Sequence, residues 1–193
     1  MRSNSSCQSL GDQGHVQSLV SPHSKSVEFP AMDIRFVMKR QYHAGLAMLR
    51  ECVEKATDEV WLAGAHPRNF WRIAYHDVYY AHLYLGQTVE DFMPWERHRE
   101  GVPDLWAEGN PPVLDAYTRA EVLSYIDHVD NMIDDTVDHL DLERDTTGFP
   151  WYKNMGKLEH EIMNIRHLQT HVGQLSELLL AHGIDGNYWV ASR

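Results

Sequence analysis

His167 and His171 stand four residues apart in the run Asn164-Ile165-Arg166-His167-Leu168-Gln169-Thr170-His171-Val172-Gly173-Gln174-Leu175. On a helix that spacing sets two side chains on one face, with Cβ atoms about 5 to 6 Å apart, so both imidazoles can reach one cation. A third donor is His76, which sits in the stripe Asn69, Ile73, His76, Tyr80, Leu83 of another predicted helix. Three neutral imidazoles leave a divalent ion with its charge and at least one coordination position for water or substrate. That is the arrangement of catalytic rather than closed structural sites.

Thirteen histidines make chance pairs common, and a partly exposed pair or one hydrogen-bonded core histidine would have the same spacing. The direction of the helix favours the metal. At 100° per residue, Leu168, Val172, Leu175 and Leu179 mark its core side, and His167 and His171 lie at the edge of that side and inside it. Imidazoles buried there must find partners or carry a desolvation penalty. His160 and Asn164 share the same face and are candidates for a further ligand or for a hydrogen bond that fixes an imidazole tautomer. Tyr80, one turn beyond His76, is a candidate phenolic donor to a bound substrate. The remaining histidines, among them His43, His66, His98, His128, His139 and His182, have no partner at ligand spacing on an apolar face.

The elements that must carry these residues read as helices. Asp33 is a candidate N-cap for a first helix with the stripe Met38, Tyr42, Leu46, Leu49, Val53, Ala56, which ends at a break at Thr57-Asp58. A second helix, from about Asn69 to Gly86, is apolar or amphipathic on nearly every side and must be widely buried. Thr118-Arg119-Ala120-Glu121 is a capping box opening a third helix with the stripe Val122, Ile126, Val129, Ile133, Val137, Leu140. Its opposite face, from Asp127 to Asp138, reads as a solvated acidic surface. The last helix runs from about Lys157 to Ala181, with Gly183 where a left-handed C-terminal residue is expected. The prediction is an all-α four-helix bundle with a long crossover between its second and third helices.

That crossover, residues 87–117, holds Pro94, Pro103, Pro111 and Pro112 with Trp95 and Trp106. Its aromatic content predicts an ordered segment over one end of the bundle, and its length would let the second and third helices run parallel. Phe149, Trp151 and Tyr152, ahead of the last helix, are candidates to wall a cavity mouth together with Trp95 or Trp106. Arg97 and Arg99 in the crossover are candidates to hold a carboxylate.

The 193 residues suffice for one ordinary core. Residues 1–31 are rich in Ser, Gln, Gly and His and too poor in apolar side chains to offset their ordering entropy, so the expectation is a disordered tail over 1–31 and a bundle domain over 32–193, with Met32 a candidate natural start. Seventeen Lys and Arg against 28 Asp and Glu give a net charge of -11, which repels phosphate backbones and argues against nucleic acid. Two cysteines far apart give no disulfide framework. No apolar run approaches a membrane span and no secretory pattern opens the chain, so no membrane partner is expected and a cytoplasmic location is the default.

The histidine pattern resembles that of the DinB-like family of metal-binding four-helix bundles, whose members carry one histidine in the second helix and a His-x-x-x-His pair in the fourth. The matching residues are His76 in Ala74-Tyr75-His76-Asp77 and the pair in His167-Leu168-Gln169-Thr170-His171-Val172-Gly173-Gln174-Leu175. The resemblance spans roughly residues 32–184. It implies an up-down-down-up bundle, a zinc or nickel ion on the three histidines, a small-molecule substrate and frequent homodimerisation, and it carries no implication of DNA binding. Characterised relatives include bacillithiol S-transferases and mycothiol-dependent maleylpyruvate isomerases, in which the metal activates a low-molecular-weight thiol. A thiol-recognition motif has no match here.

Three functions are compatible with such a site. The first is a thiol-dependent transferase in which the ion holds a cosubstrate as thiolate. The second is a metal-dependent hydrolase, with Glu161 or Asp77 as the nearest candidate bases, neither cleanly on the ligand stripe. The third is a noncatalytic metal-binding or stress-response protein whose open position takes a small regulator or water.

Overall fold

The computed structural model describes residues 32–106, 108 and 113–193. The tail expected over residues 1–31 lies outside the described residues. These form five α-helices and no strand: α1 (Ile34–Lys55), α2 (Asp58–Leu62), α3 (Phe70–Leu85), α4 (Arg119–His139) and α5 (Lys157–Ala181). The all-α class is the predicted one.

Local chemistry sets the helix ends. The Asp33 carboxylate accepts from the backbone N–H groups of Arg35 and Phe36 and starts α1. Thr118 and Glu121 form the reciprocal capping box of α4. Beyond α5, Gly183 takes φ +73°, the left-handed conformation that costs a residue without Cβ least. One helix more is present than the sequence reading predicts. At the apparent break, Thr57 accepts from Val60 N and caps the single turn of α2, which buries Val60 and Trp61.

The predicted core stripes are all buried: Met38, Tyr42, Leu46, Leu49 and Val53 on α1, Val122, Ile126, Val129, Ile133 and Val137 on α4, and Leu168, Val172, Leu175 and Leu179 on α5. Each of α1 and α3 packs against both α4 and α5. Gly45 of α1 packs tightly on α5, where an added Cβ would stand 2.6 Å from Leu168 Cδ2.

The acidic face of α4 is solvated as predicted, with Asp127, Asp134, Asp135 and Asp138 exposed, and it also meets cationic side chains and a histidine of α1. Lys39 meets Asp138, His43 meets Asp130 and Asp134, and Arg50 meets Asp127. The aspartates stay substantially accessible to water while Lys39, His43 and Arg50 are partly covered, so each pair contributes little individually. Residues 186–193 lie along α1: Lys55 Nζ donates to Gly186 O, Tyr188 N to Glu51 Oε2, Gln41 Nε2 to Ala191 O and Arg40 Nη2 to Ser192 Oγ.

The connection between α3 and α4 is tied to the helices in its described part. Trp95, Val102 and Leu105 are buried, and the Trp95 ring stacks on Tyr125 of α4 with centroids 4.7 Å apart. The buried Arg72 guanidinium donates to the carbonyls of Gly101 and Val102. None of the described helices is long and apolar enough to cross a membrane.

Candidate metal centre

α3 and α5 bring His76, His167 and His171 together. One ligand atom from each lies within 4.8 Å of the others. His167 Nε2 is 3.3 Å from His76 Nε2 and 3.2 Å from His171 Nε2. Two nitrogens bound to one tetrahedral zinc at about 2.0 to 2.1 Å stand about 3.3 Å apart, so the observed spacing already suits a shared ion.

Neighbouring oxygens decide the tautomers of two of the rings. A carbonyl can only accept, so the 2.6 Å contact of His76 Nδ1 with Pro103 O places the proton on Nδ1 and leaves the Nε2 lone pair facing the cluster. His171 Nδ1 lies 2.9 Å from Gln174 Oε1. That amide atom must be oxygen, because Arg68 Nη2 also donates to it at 3.2 Å. His171 is thereby fixed in the same tautomer. Two unprotonated Nε2 atoms flank His167 Nε2, and a single proton on that atom aims at one of them, whereas a cation accepts all three lone pairs. His167 Nδ1 is buried without a hydrogen-bond partner among the described residues.

Burial holds the three rings neutral. It is the main cause that pushes His76 down to about 3 and His167 to about 4, and in both cases His171 adds to the effect. His171 is also lowered, by burial and by the Arg68 charge, against the opposing bond to Gln174. A neutral imidazole is the form that binds metal.

The cluster forms one wall of a cavity of about 420 Å³, within the common size of small-molecule pockets. The other walls are Tyr80, Tyr84, Tyr152, Leu105, Trp106, Thr170, Gln174 and Arg68. The Tyr80 ring packs 4.5 Å from the His76 ring and 5.6 Å from that of His167. Of the predicted wall aromatics, Trp106 and Tyr152 line the cavity. Trp95 is buried on Tyr125, Phe149 is buried beside Tyr84 and His160, and Trp151 is exposed.

His160 and Asn164 are not brought to the cavity. Asn164 Nδ2 donates to the Tyr42 hydroxyl and to Ala81 O, and the His160 ring is enclosed by Tyr84, Phe149 and Tyr152. Both do share the helical face of His167, but a rise of 1.5 Å per residue places His160 about 10 Å further down the axis. Glu161 belongs to the same buried group: it accepts from the Tyr42 hydroxyl at 2.6 Å and pairs with Lys157 at 2.7 Å. Asp77 is fully buried, with neither carboxyl oxygen hydrogen-bonded among the described residues. Arg99 donates to Asp115 O and covers the Tyr117 ring, and Arg97 lies beside Glu96. Neither arginine reaches the cavity walls.

Arg68 and Gln174 are among the site residues that the sequence reading leaves without a role, with Tyr84, Leu105 and Thr170. Gln174 carried a signal, being three residues beyond His171 on the same helix. Arg68 carried none, because its position depends on a loop. Gly64 takes φ +100°, an added Cβ there would stand 2.7 Å from Arg68 O, and Asn69 Nδ2 donates to the carbonyls of Leu62 and Gly64.

No protein-family model, curated protein or solved structure matches the chain.

Proposed function

We propose that this chain is a DinB-like metalloprotein that holds a divalent zinc or nickel ion on His76, His167 and His171 and uses it in thiol transfer. The observation that carries the reading is the convergence of three imidazole nitrogens, with His167 Nε2 3.2 Å from that of His171 and 3.3 Å from that of His76, on a cavity of ligand size.

An up-down-down-up bundle is the architecture we assign to the four long helices, and the order of side-chain contacts supports it. Along α1 and α4 the partners run in opposite senses, 39 with 138 and 50 with 127. Along α1 and α5 they run in the same sense, Tyr42 with Glu161 and Cys52 with Val172. Along α3 and α5 they oppose again, His76 with His167 and Ala81 with Asn164.

A divalent cation on these histidines supplies one thing, the depressed pKa that keeps a bound thiol as thiolate. The chain's own groups do the rest. Pro103 O and Gln174 Oε1 hold two of the rings so that Nε2 faces inward. Tyr80, Tyr84 and Trp106 line the site with aromatic surface. The thiol proton leaves to solvent, sulfur forms a bond to the electrophilic carbon of the acceptor, and the acceptor's leaving group departs with the electron pair of the broken bond.

Hydrolysis ranks behind transfer because neither candidate base lines the cavity: Glu161 is committed to Lys157 and Tyr42, and Asp77 is fully buried. The family resemblance also carries a homodimer, which sedimentation would test. The central test is elemental analysis of the purified protein and His167→Ala, followed by thiol consumption with an aryl halide. About one ion per chain in the parent, lost in His167→Ala together with turnover, is the expected result. Equal metal content in both proteins would end the proposal.

A further inference from the structure

Arg68 is the only side chain with a full charge in the walls of the histidine cavity among the described residues, and no carboxylate joins it there. In a chain whose net charge is -11, this is a local reversal of sign. The guanidinium has five N–H donors. It donates one hydrogen bond, to Gln174 Oε1, and pairs with no acid among the described residues. It sits two hydrogen bonds from His171, through Gln174, and the Gly64 turn and the Asn69 side chain fix the loop that presents it. Arg68 also borders two neighbouring surface depressions, which include Glu177 and Glu108 in their walls.

We infer that the cavity takes a carboxylate-bearing thiol, with the carboxylate on Arg68 and the sulfur at the three histidines. The planar guanidinium fork matches two carboxylate oxygens, and a cation together with a guanidinium and no acid in the wall repels amines and attracts anions. The aromatic walls, Tyr80, Tyr84, Tyr152 and Trp106, suit the short apolar carbon chain between the two ends. This inference rests on the metal-centre reading for the sulfur end and on Arg68 alone for the carboxylate end.

The two ends are separable by experiment. The cobalt-loaded protein is titrated with mercaptoacetate, mercaptopropionate and mercaptobutyrate, with neutral mercaptoethanol and with cationic cysteamine, following the sulfur-to-cobalt absorption band. The best mercapto acid should bind about tenfold or more tightly than mercaptoethanol, a gap of about 1.4 kcal/mol, and cysteamine should bind most weakly. In Arg68→Gln the preference should vanish while cobalt stays stoichiometric. Should Arg68→Gln release cobalt, Arg68→Lys takes its place and must keep part of the preference; binding no tighter than mercaptoethanol would overturn the inference. So would equal affinities in the parent, or a preference that survives in cobalt-loaded Arg68→Gln. A parent that takes up no cobalt sinks the metal reading instead. Calorimetry of the metal-free protein with the mercapto acids then decides the anchor: binding lost in Arg68→Gln sustains it, and absent or unchanged binding overturns it.

Discussion

The carbonyl oxygen of Pro103 lies 2.6 Å from Nδ1 of His76, so the connection between α3 and α4 sets the tautomer of the histidine that it covers. On α5, Gln174 does for His171 what Pro103 does for His76. For the proposed ion, affinity would then depend on atoms that need not touch the metal.

Gln174→Leu removes the acceptor of His171 Nδ1 and leaves the three imidazoles in place. Loss of such a partner typically costs about 10- to 100-fold in metal affinity. Competition with a chromophoric chelator should find the variant weaker by that factor with an unchanged helical circular dichroism spectrum. Unchanged affinity would show that the contact does not orient the ring.

Asp77 is a carboxyl group buried in the protein interior without a hydrogen bond among the described residues, and burial holds its pKa well above the ordinary carboxyl range. The folded protein therefore binds a proton there that the unfolded chain has released, and this group's contribution to stability falls as pH rises above about 4. Asp77→Leu removes the polar group at similar volume and should stabilise by about 2 kcal/mol at neutral pH. The gain should shrink toward pH 4. Thermal melts at both pH values provide the check, and a destabilised variant would mean that the carboxyl group has a partner.

His82 Nδ1 lies 2.9 Å from the Tyr125 hydroxyl, and burial, followed by the charge of His128, pushes its pKa down to about 4. Here the sign is the reverse. The unfolded chain takes up the proton first, so stability is full above about pH 6.5 and declines as the pH falls toward 4. In the metal-free protein, His82→Phe should flatten the fall in melting temperature between pH 7 and pH 4.5. An identical slope in parent and variant would count against a neutral His82.

Gly45 marks a tight approach of α1 to α5, with Leu168 Cδ2 2.6 Å from an added Cβ. In an open helix Gly→Ala would gain about 1 kcal/mol. At this position overpacking should outweigh that and destabilise by about 1 to 3 kcal/mol, measured by urea denaturation. A more stable Gly45→Ala would place the helices further apart than described.

Most of the fold was legible because the signals are local. Asp33, Thr118 and Gly183 announce helix ends by side-chain or backbone chemistry within a few residues, and the stripes of α1, α4 and α5 have the helical period. α2 was missed because one turn is too short to show a period, leaving only Thr57 as a cap signal. The three histidines were legible from one i,i+4 pair and one buried stripe. His160 and Asn164 share that stripe in angle but not in height, which a projection down the helix axis hides. Arg68 is set by a turn at Gly64 and by side-chain bonds from Asn69, and no periodicity encodes those.

The run of residues 186–193 along α1 has a bearing on association. With α4 and α5 on its inner sides and this run bonded to Arg40, Gln41, Glu51 and Lys55, α1 already wears a belt of its own chain. A visiting molecule seeking that helix would have to unfasten the belt first, which turns the search for a mating face toward the other helices.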